Sequence, residues 1–267
     1  MTLSATIEGI GFWSRGLPSW QDARRFVADG NLVAAAPGRP SPELLAPNER
    51  RRAPESVAVA LEVALAACHD AGRDPATLPS VFASMHGDLA ITDYMCATLA
   101  DRPSTISPTR FHNSVHNAAA GYWTIGTGAM QPATALSAFD ATFAQGLVEA
   151  MVQLQAGSDA VLLVAYDAPS TGPLAKVSRS EGLLGAALVL SRAPRAGAAR
   201  LRVELIDGDN QPGDGPLSLH GHANAMAPML PLFDALAAGH SRVLLKAGPN
   251  RLLQVDIDIN PTEPAHG

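Results

Sequence analysis

Two histidines stand four residues apart in the segment FHNSVHNAAAGYW, residues 111–123. On a helix His112 and His116 would share one face, a spacing that suits a metal ion. No third ligand follows at a fixed spacing, so we favour a pair that braces a buried helix at an interface. Asn113 and Asn117 would then cap that helix and form interface hydrogen bonds.

A second pair, His220 and His222, lies in a glycine-rich stretch near the C-terminus. Together with His112 and His116 it leaves open a composite four-histidine zinc site, and hence a metal-binding protein. The alternative is a loop that covers a sheet edge. We favour the loop and predict no metal site.

Ser137, Asp140 and Thr142 lie close together in the segment LSAFDAT. They suggest a hydrolase with a histidine base, but the Gly-x-Ser-x-Gly pattern of a serine nucleophile is missing. If Asp140 were buried, its raised pKa would suit decarboxylation or water activation. We favour a structural role in which Asp140 accepts hydrogen bonds from amides that begin the next helix.

The two cysteines, Cys68 and Cys96, lie far upstream of that segment. Both lie on predicted helices, and both are predicted to be structural, as free cysteines usually are. Two unpaired cysteines do not form a disulfide framework, so we expect a cytoplasmic protein. The N-terminus, MTLSATIEG, shows no secretory signal pattern.

Apolar patterns predict helices that alternate with buried strands, which is typical of an α/β layered fold. Predicted helices cover residues 20–28, 54–71, 90–99, 113–128, 143–154 and 226–238. Predicted strands cover residues 5–13, 80–85, 132–137, 159–166, 182–191, 200–206, 241–246 and 252–259. The last strand alternates apolar and polar residues, which suggests a sheet edge. Residues 30–53 are predicted to form a surface excursion.

Composition narrows the possible partners. Hydrophobic residues make up 47% of the chain and charged residues only 16%, so part of the surface is expected to be buried against another subunit. The net charge of -6 and the lack of a basic run beyond residues 50–52 argue against nucleic acid and anionic membranes. No apolar segment is long enough to span a bilayer.

Several short motifs occur in an order that resembles the N-terminal half of a β-ketoacyl synthase, in the thiolase superfamily. They are TIEGIG at residues 6–11, the stretch from Pro108 to the Asn-x-x-Ala-Gly pattern of residues 117–121, AGSDAV at 156–161 and EGLLGA at 181–186. The run FHNSVHNAAAGYW is most similar to chain-length-factor subunits of aryl polyene biosynthesis.

This resemblance implies a thiolase-like layered αβα half over residues 1–195. A short α+β extension over residues 196–259 and a disordered tail over residues 260–267 would follow. In the family a turn after the interface strand carries a nucleophilic cysteine. Here that position falls at or next to Asp140, so no catalytic residue is expected, and residues 200–259 leave no room for the family's catalytic histidines.

The resemblance further implies a catalytically silent subunit that forms a heterodimer with an active β-ketoacyl synthase and meets acyl carrier protein only indirectly. No cofactor is implied. The family's subunits meet along the strand of residues 132–137, and the preceding helix lines the acyl tunnel. The expected tunnel and interface residues are Phe111, Val115, His116, Asn117, Gly121, Tyr122, Ser137, Phe139 and Asp140. The alternatives are a stand-alone acyl-thioester hydrolase or decarboxylase and the metal-binding protein.

Overall fold

A computed structural model of the chain describes residues 2–209 and 212–259. The strands are β1 Thr2–Ser14, β2 Ser80–Ala83, β3 Ala133–Leu136, β4 Ala160–Asp167, β5 Leu184–Ser191, β6 Arg200–Asp207, β7 Arg242–Gly248 and β8 Arg251–Asp258. The helices are α1 Trp20–Asp29, α2 Pro47–Arg52, α3 Glu55–Ala71, α4 Leu89–Asp101, α5 Pro108–His112, α6 Ala118–Thr127, α7 Thr142–Gln155, α8 Pro216–Gly221 and α9 Leu230–Ala238. The tail predicted for residues 260–267 lies outside the described residues.

The strands form one eight-stranded sheet in the order β3-β2-β4-β5-β1-β6-β8-β7. Strands β3, β2 and β4 are parallel, whereas β4, β5, β1, β6, β8 and β7 pair antiparallel. The strands of the predicted C-terminal extension therefore continue the sheet of the first segment, because β6 pairs with β1. No described helix is long and apolar enough to cross a membrane.

Helices cover the sheet on both faces, so the predicted α/β layering is confirmed. One apolar cluster joins α3 and α6 to β2, β4 and β5. The other joins α1, α7, α8 and α9 to the opposite face. Every residue of β4 and β5 is buried, as their near-continuous apolar sequences predict.

Helix α3 lies unusually close to the centre of the sheet. A Cβ atom at Gly11 of β1 would lie 2.0 Å from the Val63 carbonyl oxygen, and one at Gly9 would lie 2.3 Å from that of Ala67. Only glycine allows this approach. Gly72 ends the helix in a left-handed conformation, as its position after the apolar stripe predicts.

Two sequence-based expectations are wrong. The helix predicted over residues 113–128 begins only at Ala118 of α6, because Asn113 ends the preceding α5 and Ser114 donates its hydroxyl to the Phe111 carbonyl in the turn between them. Strand β8 is not at the edge, because β7 pairs on its outer side. The alternating pattern of β8 instead reflects a sheet end whose second face is not covered by α3.

Candidate functional site

The carboxyl ends of the three parallel strands bring together the loops that carry most of the predicted site. Strand β2 leads into the loop of residues 84–88, β3 leads into the turn of residues 137–141, and β4 ends at Asp167. Loops at the carboxyl ends of parallel strands commonly form the functional sites of α/β proteins. The arrangement therefore places residues that are distant in sequence next to one another.

Asp167 is the centre of this loop cluster and has no exposed surface. Its carboxylate accepts hydrogen bonds from the Ser84 hydroxyl (2.8 Å), the Met85 amide (2.9 Å) and the His86 amide (3.1 Å). Burial raises the pKa of the Asp167 carboxyl to about 6, and these three donors oppose that rise. Asp167 therefore fixes the path of the loop after β2.

Two predicted site residues contact the same loop. The ring Nε2 of His116 lies 2.8 Å from the Ser84 carbonyl oxygen, which can only accept, so Nε2 donates. Ser137 donates its hydroxyl to the Met85 carbonyl oxygen at 3.0 Å. His116 and Ser137 thus position backbone and do not line the groove described below.

The turn after β3 has a strained residue at its centre. Phe139 has a φ of 57°, a left-handed conformation that is rare for a bulky side chain, and its ring is 70% exposed. Thr142 holds the turn, because its hydroxyl accepts from the Ala138 amide and donates to the Phe139 carbonyl. The apex that resembles the family's nucleophile turn therefore carries a phenylalanine, next to Asp140.

Asp140 does not cap the next helix as predicted. Its carboxylate forms an ion pair with Lys246 of β7, and α7 begins at an Ala141 cap position without a side-chain capping bond. Both side chains of the pair are partly exposed. They line a cavity of about 350 Å³ between the turn and the C-terminal strands. A carboxylate neutralised by a lysine is poorly suited to act as a general base.

Five of the predicted tunnel residues come together in one groove of about 560 Å³. It is lined by Phe111, Val115, Asn117, Gly121 and Tyr122. Leu44 and Leu45, from the segment predicted as a surface excursion, close its other side. The groove opens beside exposed apolar side chains, of which Val115 is 50% exposed.

The side-chain amides of Asn113 and Asn117 do not cap α6 as predicted. Asn117 occupies the cap position of α6 but forms no side-chain capping bond. Asn113 is buried, and its Oδ1 atom has no hydrogen-bond partner among the described residues. Backbone bonds of the turn between α5 and α6 replace these caps.

The predicted histidine pairs serve structural contacts. His112 ends α5 and packs edge-on against Tyr122, whereas His116 lies in the turn before α6, so the pair does not share a helix face. His220 contacts the Arg15 carbonyl and His222 the Leu219 carbonyl. Within residues 2–209 and 212–259, no group of three or more His, Cys, Asp or Glu residues could hold a metal ion.

A serine nucleophile is also poorly supported. Ser137 is engaged with a carbonyl, and the serine that contacts a histidine ring is Ser178, 2.7 Å from the Nε2 atom of His86. The other ring nitrogen of His86 is buried without a partner in the described part of the chain, so nothing orients the ring as a base. Burial lowers the pKa of the His86 imidazole.

Neither cysteine lies near the turn. Cys68 is buried in α3, where burial raises the pKa of its thiol to about 12, as expected of a structural residue. Cys96 lies on α4 but is exposed, so it does not pack in the core as a structural cysteine would. The sequence of the turn itself, residues 137–141, contains no cysteine.

Strand β3 is an edge strand that remains partly exposed. Among the described strands it pairs only with β2, and its residues are half-buried or exposed although their sequence, ATAL, is largely apolar. Met130, Phe139 and Ile125 lie on the segments around it and are 95%, 70% and 81% exposed. Exposed apolar residues grouped beside a free sheet edge indicate a surface that another protein covers.

Sequence reasoning does not reveal Asp167 or Lys246. Asp167 ends an apolar strand, where a carboxylate resembles an ordinary loop residue, and no local pattern shows its three donors. Lys246 reaches Asp140 only because the sheet brings β7 near α7. Tyr94 is also missed: its hydroxyl accepts from the Ser107 amide, and its ring lies 4.0 Å below the Arg110 guanidinium.

The layered architecture is that of the thiolase-like fold, and comparisons with solved structures show the same. One similar structure is the ketosynthase ApeO in complex with its chain length factor ApeC from Xenorhabdus doucetiae, with a TM-score of 0.76 and 21% identity over 95% of this chain and 99% of that chain. The ishigamide ketosynthase/chain length factor gives a TM-score of 0.71 and 14% identity over 97% of this chain and 100% of that chain.

A third similar structure is AntDE:AntF, a type II polyketide acyl carrier protein with its ketosynthase, with a TM-score of 0.71 and 12% identity over 96% of this chain and 99% of that chain. The family model described as "Beta-ketoacyl synthase, N-terminal domain" matches residues 20–251. The chain therefore belongs to this β-ketoacyl synthase family. Comparison with curated protein sequences gives no significant match.

The loop cluster predicts a large effect of Asp167→Ala. The substitution leaves two partly buried amides and one buried hydroxyl without their acceptor, and each such loss costs up to about 1–3 kcal/mol. We expect the free energy of unfolding in urea at pH 7.5 to fall by at least about 2 kcal/mol. The control is Asp159→Ala, which removes an exposed ion pair and should change it by less than about 0.5 kcal/mol.

Wild type and Asp167→Ala also test the raised pKa of Asp167. Between about pH 4 and pH 6 the folded protein keeps a proton on this carboxyl that the unfolded chain has released. This group therefore lowers the free energy of unfolding as the pH rises from about 4 through about 6. The difference between wild type and Asp167→Ala should be larger at pH 5 than at pH 7.5, and a difference independent of pH would contradict this assignment.

Proposed function

We propose that this protein is a catalytically silent, chain-length-factor-like subunit that pairs with a cysteine-bearing β-ketoacyl synthase and shapes the space available to its acyl chain. The main observation behind this proposal is the free edge of β3, which is flanked by exposed apolar residues. Two of the similar structures are described as ketosynthase and chain length factor together, which supports this pairing.

Catalytic silence is supported by the turn after β3. A condensing enzyme needs a thiolate that attacks the acyl thioester, and the apex of this turn carries Phe139. The hydroxyl of Ser137 and the carboxylate of Asp140 are both engaged, with Met85 and Lys246. The partner would therefore supply the nucleophile and receive acyl groups from the carrier protein. Shaping a cavity requires no cofactor.

The backbone of β3 suits strand addition by a partner. The carbonyls of Pro132 and Leu136 accept hydrogen bonds from Ser80 and Ser84 on the β2 side. Because residues alternate in direction along a strand, the amides and carbonyls of Ala133 and Ala135 face the free edge. Natural edges usually carry charge that discourages pairing, and this strand has none.

The opposite end of the sheet provides an internal comparison. Edge strand β7 carries Arg242 and Lys246, which is how proteins protect a free edge. The contrast between the two edges favours pairing at β3. A partner at this edge would also lie close to α6, which packs beside β3 and borders the groove.

The groove supports a role in limiting chain length. Its apolar lining includes Phe111 and Val115, and it also includes Ile125, an exposed residue of the surface that we assign to the interface. A growing acyl chain that crosses this interface would meet these side chains at its distal end. The size of the side chain at position 115 would then set how many carbons fit.

Ala135→Pro tests the interface. Proline removes the amide that faces the free edge and keeps the bonds to β2, so the subunit should fold normally. We expect the Kd for the partner synthase, measured by sedimentation, to rise at least about tenfold, equivalent to about 1.4 kcal/mol. Ala135→Val keeps the amide and is the matched control. Unchanged binding by a well-folded Ala135→Pro protein would mean that this edge is not the interface.

Val115→Phe tests length control. The added ring fills space that the last carbons need, and overpacking costs about 1–3 kcal/mol, enough to reduce the longest product at least severalfold. Mass spectrometry of the products of the complex measures this change. Val177→Phe, at an 82% exposed position outside the groove, is the control. If Val115→Phe lowers stability but leaves the length profile unchanged, Val115 belongs to this subunit's own core.

A further inference from the structure

Two of the exposed apolar residues around β3 lie at equal distances from the ends of the strand. Phe139 lies three residues after Leu136, the last residue of β3, and Met130 lies three residues before Ala133, the first. Met130 is 95% exposed and Phe139 is 70% exposed. A two-fold or pseudo-two-fold axis between β3 and an antiparallel edge strand of the partner would bring the Phe139 turn of one subunit close to the position of Met130 in the other.

The exposure of Phe139 is maintained by structure. Its left-handed backbone conformation is unfavourable for a bulky residue, and such strain persists only where the surroundings enforce it. The Thr142 hydroxyl bonds both sides of Phe139, and the Ser137 hydroxyl ties the start of the turn to the Met85 carbonyl. The turn is therefore held so that an aromatic ring projects away from this subunit's own core.

We propose that Phe139 is an aromatic anchor that packs against the partner synthase beside the segment that corresponds to Met130 here. This inference rests on the proposed function and names the residue that fixes the pairing. Aromatic residues that become fully buried dominate the energy of protein interfaces. The backbone strain of the turn is the cost of presenting this ring.

The partner that fits this pattern is a subunit of the same fold. The paired positions lie at equal distances from the middle of one edge strand, so they meet only if the partner offers an equivalent strand in antiparallel orientation. A short peptide added to the edge would satisfy the backbone of β3 but would offer no second turn. We therefore infer that the partner at this edge is the cysteine-bearing synthase.

The test compares Phe139→Gly with Phe139→Leu. Glycine relieves the backbone strain and removes the ring, whereas leucine keeps both the strain and an apolar side chain. Binding is measured with the cysteine-bearing synthase that co-purifies with the wild-type chain, and stability by urea unfolding of the chain alone. We expect Phe139→Gly to raise the urea midpoint and to raise the Kd at least about tenfold. Phe139→Leu, which keeps an apolar side chain without the ring, should raise the Kd by a smaller factor than Phe139→Gly.

Met130→Ser should weaken binding as well, whereas Val177→Ser, at another exposed apolar position, should not. If wild type and Phe139→Gly bind the synthase equally, Phe139 is not an anchor, but the proposed function is unaffected. A lower urea midpoint for Phe139→Gly would also contradict the anchor role, because the ring would then pack in this subunit. If the wild-type chain binds no synthase, the proposed function itself fails. If these variants lose self-association but bind the synthase like wild type, Phe139 packs against a second copy of this chain and the synthase is not its partner.

Discussion

Backbone groups at the free edge of a β-sheet must find hydrogen-bond partners, and the surface of this subunit is organised around that requirement. Strand β3 presents a free edge without any charge to protect it, whereas β7 at the other edge carries Arg242 and Lys246. Exposed apolar residues surround β3, and we propose that the partner covers them together with the free edge. The groove and the turn of residues 137–141 lie beside the same surface.

The loop cluster explains how this chain builds the turn that follows β3. Asp167 fixes the loop after β2, that loop receives Ser137, and Ser137 begins the strained turn that carries Phe139. In a condensing enzyme such a turn would present a nucleophile. Here the same geometry presents an aromatic ring at the surface, and we propose that the strain serves binding of the partner.

Most of the fold can be predicted from the sequence because its main signals are strong and local. The continuous apolar runs of β4 and β5 and the stripe and C-terminal glycine of α3 correctly predict buried elements. The helix predicted over residues 113–128 is too long, since its small apolar residues suggest a helix while Ser114 bonds its own backbone and interrupts it.

The site is harder to predict because its contacts join distant parts of the chain. Phe111, Val115 and Tyr122 follow one another in a single segment, so the groove that they line in the structure can be anticipated from the sequence. It does not show that Lys246 takes the carboxylate of Asp140, nor that Asp167 holds the loop after β2. Such pairings depend on strand order, which local patterns do not specify.

The central claim is that this subunit takes part in condensation without carrying the acyl group. The most direct measurement is intact-mass spectrometry of both chains after the complex is loaded with an acyl carrier protein substrate. We predict an added acyl mass on the partner synthase and an unchanged mass for this chain. An acyl adduct on this chain would contradict the claim.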